Sequence, residues 1–355
     1  MRYTLTLTDK CNKNCAFCYE NAIRQNISLS ESTLYKQLAR IMSTDTNTPK
    51  KMSFFGGEPF IELDLMKKTA NVLKQYNKYN ADNPITLSFI TNGILLNSPD
   101  VMSFLQECKN DGFNPYIIIS YDGVQNKIPN LGSNISKLVS MLGERSVRIN
   151  YTMSKVNVKD IVTNYKIAES LGVKNIHYRP VHGDFVEDPS LVELYRNNMI
   201  ELFEYLKTAQ SMPYDIFPFI ASYKLWDINK VEAYNYIYQQ RANVGCNMDF
   251  SHLTYSMDDE VYYCHRLQFY QGFIKDVKEA NQYMKDHNGT FSYDGCDTCP
   301  TLKQCGMCSI INEIYTGDKN IPHPTLCQFQ IVVHELTELF FKMFHPTFQE
   351  GYVGP

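Results

Sequence analysis

The chain has a single tryptophan among 355 residues. It also lacks any apolar run near the roughly 18 residues that a membrane-crossing helix requires. Its first residues, Met1 to Thr8, alternate like a strand and lack the basic-then-apolar pattern of a secretion signal. Neither sign of charge dominates: 34 Lys and Arg against 38 Asp and Glu leave a net charge of −4, so no basic surface advertises nucleic acid. There is no sequence repeat and no low-complexity tract. These absences lead us to expect a cytoplasmic protein with no membrane and no nucleic-acid partner. Hydrophobic residues make up 44% of the chain, enough for a large core and about two domains.

What the chain does have is cysteine, eleven in all, unevenly placed. Cys11, Cys15 and Cys18 crowd one end; Cys246, Cys264, Cys296, Cys299, Cys305, Cys308 and Cys327 occupy the other; Cys108 stands alone. A reducing compartment argues against a disulfide framework and for metal ligation or redox chemistry. Cys108, in the helical-looking stretch Met102 to Cys108, reads as a small buried apolar residue.

The first two hundred residues repeat one theme: a short strand-like run, a loop of small or polar residues, then a stretch of helical periodicity. Strands are expected at Tyr3 to Leu7, Met52 to Phe55, Thr86 to Ile90, Tyr116 to Ser120, Val147 to Thr152 and Asn175 to Tyr178. Helices are expected near 31–43, 62–78, 98–111, 133–143, 158–171 and 189–208, the last introduced by Asp188-Pro189. Six such units imply a parallel sheet with right-handed crossovers. A doubly wound sheet would satisfy the pattern. The functional-looking residues after each strand favour an α/β fold of another kind, a partial (β/α)6 barrel related to the TIM barrel, whose sites gather at the strands' C-terminal ends. The expected division is 1–208 for the barrel, 209–245 for an aromatic bridging region, 246–327 for a cysteine-rich domain and 328–355 for a C-terminal helix and tail. The bridging aromatics, Tyr214 and Trp226 among them, read first as core. The cysteine-rich region is short of long helical patterns and is expected to need metal to organise it; an apolar helix from Ile331 to Phe344 should pack back onto the barrel.

Three cysteines in Cys11-Asn-Lys-Asn-Cys15-Ala-Phe-Cys18 are one too few for structural zinc. An incomplete zinc site and unrelated thiols remain alternatives. A four-iron cluster explains the number better, since three thiolates hold three irons and leave the fourth open to an external ligand. This Cys-x3-Cys-x2-Cys spacing, with Phe17 before the last cysteine, resembles the signature of the radical S-adenosylmethionine (SAM) superfamily. Gly56-Gly57-Glu58-Pro59, after the second strand, matches that family's second element, in which backbone recognises the amino group of SAM. Glycine suits that role because backbone approaches a ligand only where no Cβ intervenes. Ser120-x-Asp122-Gly123 resembles the fourth-strand element, and Asn92, Asn150, Ser154, Arg179 and Val181 are further SAM contacts by position. The resemblance implies that an electron from the reduced cluster cleaves SAM to a 5′-deoxyadenosyl radical, which abstracts hydrogen from substrate.

Cys296-x2-Cys299-x5-Cys305-x2-Cys308, with Cys246, Cys264 and Cys327, would suit zinc out of context. In context it resembles the SPASM extension, a C-terminal module with two auxiliary four-iron clusters, three clusters in all. The resemblance assigns Cys296, Cys299, Cys305 and Cys327 to the outer cluster, and Cys246, Cys264 and Cys308 to the inner one. Three departures stand out. Two residues rather than three separate Cys305 from Cys308, Asp259 occupies a position that is usually glycine, and no cysteine just upstream of Cys246 completes the inner set. The inner cluster therefore takes a non-cysteine ligand or, the reading preferred here, keeps an open iron.

SPASM enzymes mostly act on peptides or proteins. The resemblance implies an oxidoreductase that installs a crosslink (thioether, carbon–carbon or carbon–oxygen) in a ribosomally synthesised peptide, fed by a flavodoxin or ferredoxin-type reductant. Leader recognition is expected to fall to a separate protein, to the bridging region, or to be unnecessary. The rival branch matures anaerobic sulfatases by oxidising Cys or Ser to formylglycine; it places an aspartate base directly after the second SPASM cysteine, where this chain has His265. A histidine can accept a proton near neutral pH, or simply hydrogen-bond near the cluster. From another class, a non-catalytic iron–sulfur or zinc scaffold, or an electron carrier, would use the same cysteines.

Overall fold

The structure is a computed structural model. It describes residues 1–21, 23–44, 49–122, 128–209, 252–269, 273–274, 276–287 and 307–344, the backbone of 215–217 and the single positions 296, 299, 301 and 305. Apart from residue 209 and the backbone of 215–217, the expected bridging region lies outside the described residues, as do Cys246 and Gly123.

All six expected strand-helix units are present. They run β1 (Arg2–Thr8), α1 (Glu31–Ser43), β2 (Lys50–Gly56), α2 (Leu63–Tyr79), β3 (Ile85–Thr91), α3 (Pro99–Asn110), β4 (Tyr116–Tyr121), α4 (Leu131–Leu142), β5 (Val147–Met153), α5 (Ile161–Ser170), β6 (Asn175–Pro180), a short α6 (His182–Glu187) and α7 (Ser190–Leu206). A short β7 (Asp215–Phe217) follows. Beyond it lie β8 (His252–Tyr255), β9 (Val261–Tyr262), α8 (Val277–His287), α9 (Ser309–Thr316) and α10 (Pro324–Phe344). The chain falls into two compact units, one of residues 1–120, 128–148 and 248–288, the other of residues 121–127, 149–247 and 289–355.

In the first unit the strand order is β4-β3-β2-β1-β8-β9. The pairs from β4 to β8 are parallel, and only β9 runs antiparallel to its neighbour. One face is the core: Tyr3, Leu5, Leu7, Met52, Phe54, Leu87 and Phe89 are fully buried. Phe89 meets Phe54 at 5.2 Å, Phe60 at 5.7 Å and Phe104 of α3 at 5.9 Å, so this face carries the helices. The alternate positions form the other face, where Thr254, Thr4, Ser53 and Ser88 stand in register. A full (β/α)8 barrel fills that space with branched apolar side chains; here this row of it carries hydroxyls, while Phe55, Ile90 and Ile118 lie on the same face.

The second unit orders its strands β7-β6-β5. Tyr151 and Tyr178 pack edge to face at 5.6 Å beneath them. Helix α10 lies on α7 and α6 through Phe203–Phe340 (5.2 Å), Tyr195–Phe329 (4.9 Å) and Phe185–Phe329 (5.3 Å), with Arg196 bonded to Glu335 at 2.6 Å. Parallel strands in sequence order with helices between them, and no closure of the sheet among the described residues, make the architecture the partial barrel that the pattern implied.

Two expectations need correction. The C-terminal helix begins at Pro324, seven residues before Ile331, because proline is compatible with a helix's first turn. The cysteine-rich region also supplies a strand that was not expected, β8, which adds to β1 in parallel; its described helices α8 and α9 are short, at 11 and 8 residues.

Candidate active site

The loop after β1 is closed back onto the strand that launches it. Leu29 N–H donates to Leu7 O at 2.7 Å, Thr8 Oγ1 to Ile27 O at 2.7 Å, and the Asp9 carboxylate accepts the N–H groups of Gln25 and Ile27, both at 2.6 Å. Within this closed loop Cys11, Cys15 and Cys18 are half-buried and form no disulfide. The Cys15 carbonyl holds the turn, accepting from Cys18 N–H at 3.1 Å and from Asn21 Nδ2 at 2.7 Å. Burial pushes the Cys18 thiol up, and the nearby Glu20 carboxylate adds to this. Glu20 is itself buried and pushed up to about 7 by desolvation, against the pull of Arg24.

The glycine pair after β2 locks onto this loop. Gly57 N–H donates to Thr8 O at 3.0 Å and Glu58 N–H to Lys10 O at 2.8 Å. A Cβ on Gly56 would sit 2.0 Å from Thr8 O, and one on Gly57 only 2.3 Å from Lys10 O. Gly56 also has φ +134°, which side-chain-bearing residues rarely adopt. The second element thus packs backbone to backbone against the start of the cysteine loop.

Glu58 points inward. Its carboxylate is fully buried and accepts three bonds, from Phe60 N–H at 3.2 Å, Thr91 Oγ1 at 2.9 Å and Asn92 N–H at 2.7 Å. Burial pushes its pKa up to about 7, while these donors favour the charged form. It ties the loop after β2 to the loop after β3. Asn92, held this way, turns its amide nitrogen to Asn12 Oδ1 at 2.8 Å and Cys11 Sγ at 3.6 Å.

The remaining expected SAM contacts divide between the units. Phe17 (38% exposed), the buried Pro59 and the half-buried Ser120 belong to the first. Asp122, Asn150, Ser154, Arg179 and Val181 belong to the second, where Val181 N–H bonds Met153 O at 2.7 Å. Sequence reasoning missed Asn157, whose side chain accepts from Ser154 N–H at 2.7 Å and reaches the carbonyls of Thr152 at 2.9 Å and Asp122 at 3.5 Å. Thr91, directly before Asn92, donates its hydroxyl to the same Glu58 carboxylate.

Among the expected auxiliary ligands, Cys264 is buried in the first unit, just after β9. The neighbouring His265 ring lies 5.1 Å from Phe55, edge on, and 6.4 Å from the ring of His252. In the second unit Cys299 N–H bonds Cys296 O at 2.9 Å. The Cys305 thiol is pushed up to about 11, first by burial and then by the thiols of Cys327, Cys296 and Cys299, against the Met307 N–H. Cys296, Cys299 and Cys327, from a stretch of 32 positions, therefore all lie within electrostatic reach of Cys305. Thr301, not foreseen from sequence, places its hydroxyl 3.2 Å from Cys299 Sγ. Cys308 caps α9 in the same unit. Among the described residues no three His, Cys, Asp or Glu side chains converge as a single ion requires. A cluster asks for something else, since each thiolate binds its own iron. Three thiols on one closed loop, clamped by a side-chain-free backbone, fit such a group.

The Radical SAM superfamily model matches residues 5–196, more than half of the chain, and the chain belongs to that superfamily. SAM and a four-iron cluster are the cofactors that membership implies. The radical SAM cyclopropyl synthase TigE of Paramaledivibacter caminithermalis is 24% identical over 232 residues, 57% of this chain and 46% of TigE. The match thus spans about half of that relative's length. Among solved structures, the anaerobic sulfatase-maturing enzyme anSMEcpe with bound AdoMet superposes with TM-score 0.69 at 16% identity, over 98% of this chain and 100% of its own. Streptococcus suis SuiB bound to its precursor peptide SuiA gives TM-score 0.61 at 14% identity, over 92% of this chain and 75% of SuiB. At such identities the likeness speaks for the fold. No described helix is long and apolar enough to cross a membrane.

Proposed function

We propose that this protein is a radical SAM peptide-modifying enzyme of the SPASM type, which oxidatively crosslinks a ribosomally synthesised peptide. The observation that carries the reading is the Cys11–Cys18 loop packed backbone to backbone against Gly56-Gly57. Bound there, SAM and a reduced four-iron cluster would supply a 5′-deoxyadenosyl radical able to remove a hydrogen atom from substrate. Cys11, Cys15 and Cys18 hold the cluster, and the Gly56–Pro59 backbone meets the amino end of SAM. Asn92, Ser120, Asp122, Asn150, Ser154, Arg179 and Val181 are proposed to surround the rest, with Phe17 beside the cluster.

The four gathered cysteines of the second unit support an outer auxiliary cluster. Cys246, Cys264 and Cys308 are proposed for an inner one with an open iron. A peptide substrate agrees with SuiB having been captured with its precursor peptide. The reductant is proposed to be of the flavodoxin or ferredoxin type, and a separate protein to present the leader.

The test is anaerobic incubation of reconstituted enzyme, SAM and dithionite with a peptide encoded beside the gene. The expected product has lost two hydrogens for each crosslink, with deoxyadenosine formed. Deoxyadenosine without any change in peptide mass refutes the crosslinking reading. Sulfatase-type maturation is the second reading, favoured by a superposition that covers the whole of anSMEcpe. A cysteine-containing sulfatase peptide in the same assay would then yield formylglycine, with His265 as the proposed base.

A further inference from the structure

The geometry points to Asn92 as a positioning residue that sets the reduction potential of the first cluster through a hydrogen bond to the Cys11 sulfur, distinct from its proposed place around SAM. This rests on the reading that Cys11 ligates that cluster. The orientation of the carboxamide is fixed by its own chain: Asn92 Oδ1 accepts the Ile94 N–H at 3.0 Å, so Nδ2 is the end that faces Asn12 Oδ1 (2.8 Å) and Cys11 Sγ (3.6 Å).

Asn92 is held on both sides. Its backbone N–H is bonded by Glu58 Oε2 at 2.7 Å, and Thr91 Oγ1, also bonded to Glu58, accepts the Gly93 N–H at 3.0 Å. The fully buried Glu58 thus acts as a clamp that aims an N–H at sulfur from a loop some eighty residues away. A donor to a thiolate stabilises the more negative, reduced state, so it raises the potential. That matters for an enzyme whose chemistry begins with reduction of this cluster.

The experiment is a redox titration of the reconstituted enzyme without SAM, followed by electron paramagnetic resonance. The signal of the first cluster is identified as the one abolished in Cys11→Ala; if that variant keeps every signal, the ligand assignment fails rather than this inference. Asn92→Asp is close to isosteric and keeps the acceptor for Ile94 while removing the donor; Asn92→Ala removes both. Both should lower the potential, with the reduced fraction at fixed poise falling about tenfold in Asn92→Ala, which is about 59 mV for one electron. The fall should be larger in Asn92→Asp, which adds a negative charge. Melting curves confirm that each variant folds; where Asn92→Ala does not, the neutral, similarly sized Asn92→Leu, which also lacks the donor, decides. A SAM-free potential unchanged within about twofold in reduced fraction overturns the inference. So does a weaker SAM dissociation constant at unchanged potential, which would make Asn92 a SAM contact alone.

Discussion

Adding one methyl group at Gly57 should disconnect the two elements that build the candidate SAM site. The Cβ of Gly57→Ala would lie 2.3 Å from Lys10 O and 2.7 Å from Asp9 O, where ordinary contact begins at 3.4 Å. Both are backbone atoms, so no side chain can swing away, and the loops must part by roughly 1 Å. That separation breaks two backbone bonds, Gly57 N–H to Thr8 O and Glu58 N–H to Lys10 O. Each bond is worth about 1 kcal/mol net, and up to about 3 kcal/mol if its groups are left buried without partners. The expected destabilisation is therefore about 2–6 kcal/mol. A displacement of that size between reacting groups can also cost about a hundredfold in rate. Urea unfolding of the apoprotein measures the first effect, and deoxyadenosine formation by reconstituted enzyme the second. Gly57→Ala within about 0.5 kcal/mol of wild type, with full SAM cleavage, would refute the packing argument.

Other expectations follow from the same geometry. Cys15→Ala should lose the first cluster and all SAM cleavage while retaining the iron proposed for the second unit, as iron analysis and electron paramagnetic resonance would show; retained cleavage contradicts the assignment. Glu58 binds a proton more readily folded than unfolded, at about 7 against 4.5, so its contribution to stability declines as pH rises through that window. The decline amounts to at most ~3 kcal/mol, and Glu58→Gln should flatten it in melting curves taken between those pH values. Asp259 has φ +67° and is clamped by Arg40 through two bonds of 2.9 and 3.0 Å. Asp259→Gly, which suits that backbone, should cost less than about 1 kcal/mol, and Asp259→Val about 2 kcal/mol or more. Equal melting temperatures for the two would contradict this. Cys305→Ala should remove one cluster's worth of iron without touching SAM cleavage by the first; loss of both would sink the separation of the two sites.

Much of the fold was legible because each strand of the first six carried its own punctuation. Tyr3, Leu5 and Leu7 alternate with threonines, and each strand is followed by a polar loop and a periodic helix. Strand β8 was not legible, because His252 to Tyr255 is short and becomes a strand only by pairing with β1. The site was legible in its short-range motifs: the cysteine triplet and the glycine pair. The inward turn of Glu58 was not, because its partners Thr91 and Asn92 lie on another loop. Asp259 shows the same limit from the other side. Its substitution for the usual glycine seemed a departure, yet the backbone keeps a left-handed conformation and Arg40 compensates the side chain.

The pairing of β8 with β1 has a consequence for how the protein is made. The strand that carries the cysteine loop keeps one unpaired edge until residue 255 has been synthesised, almost 250 residues later. At ribosomal speeds of 5–20 residues per second that interval is roughly 12–50 s. An open edge strand next to exposed thiols is prone to pairing with other chains and to oxidation throughout that time. Shortened chains ending before His252 should therefore aggregate even though they contain the whole matched family region, and cluster loading is best timed after the second half of the chain has arrived.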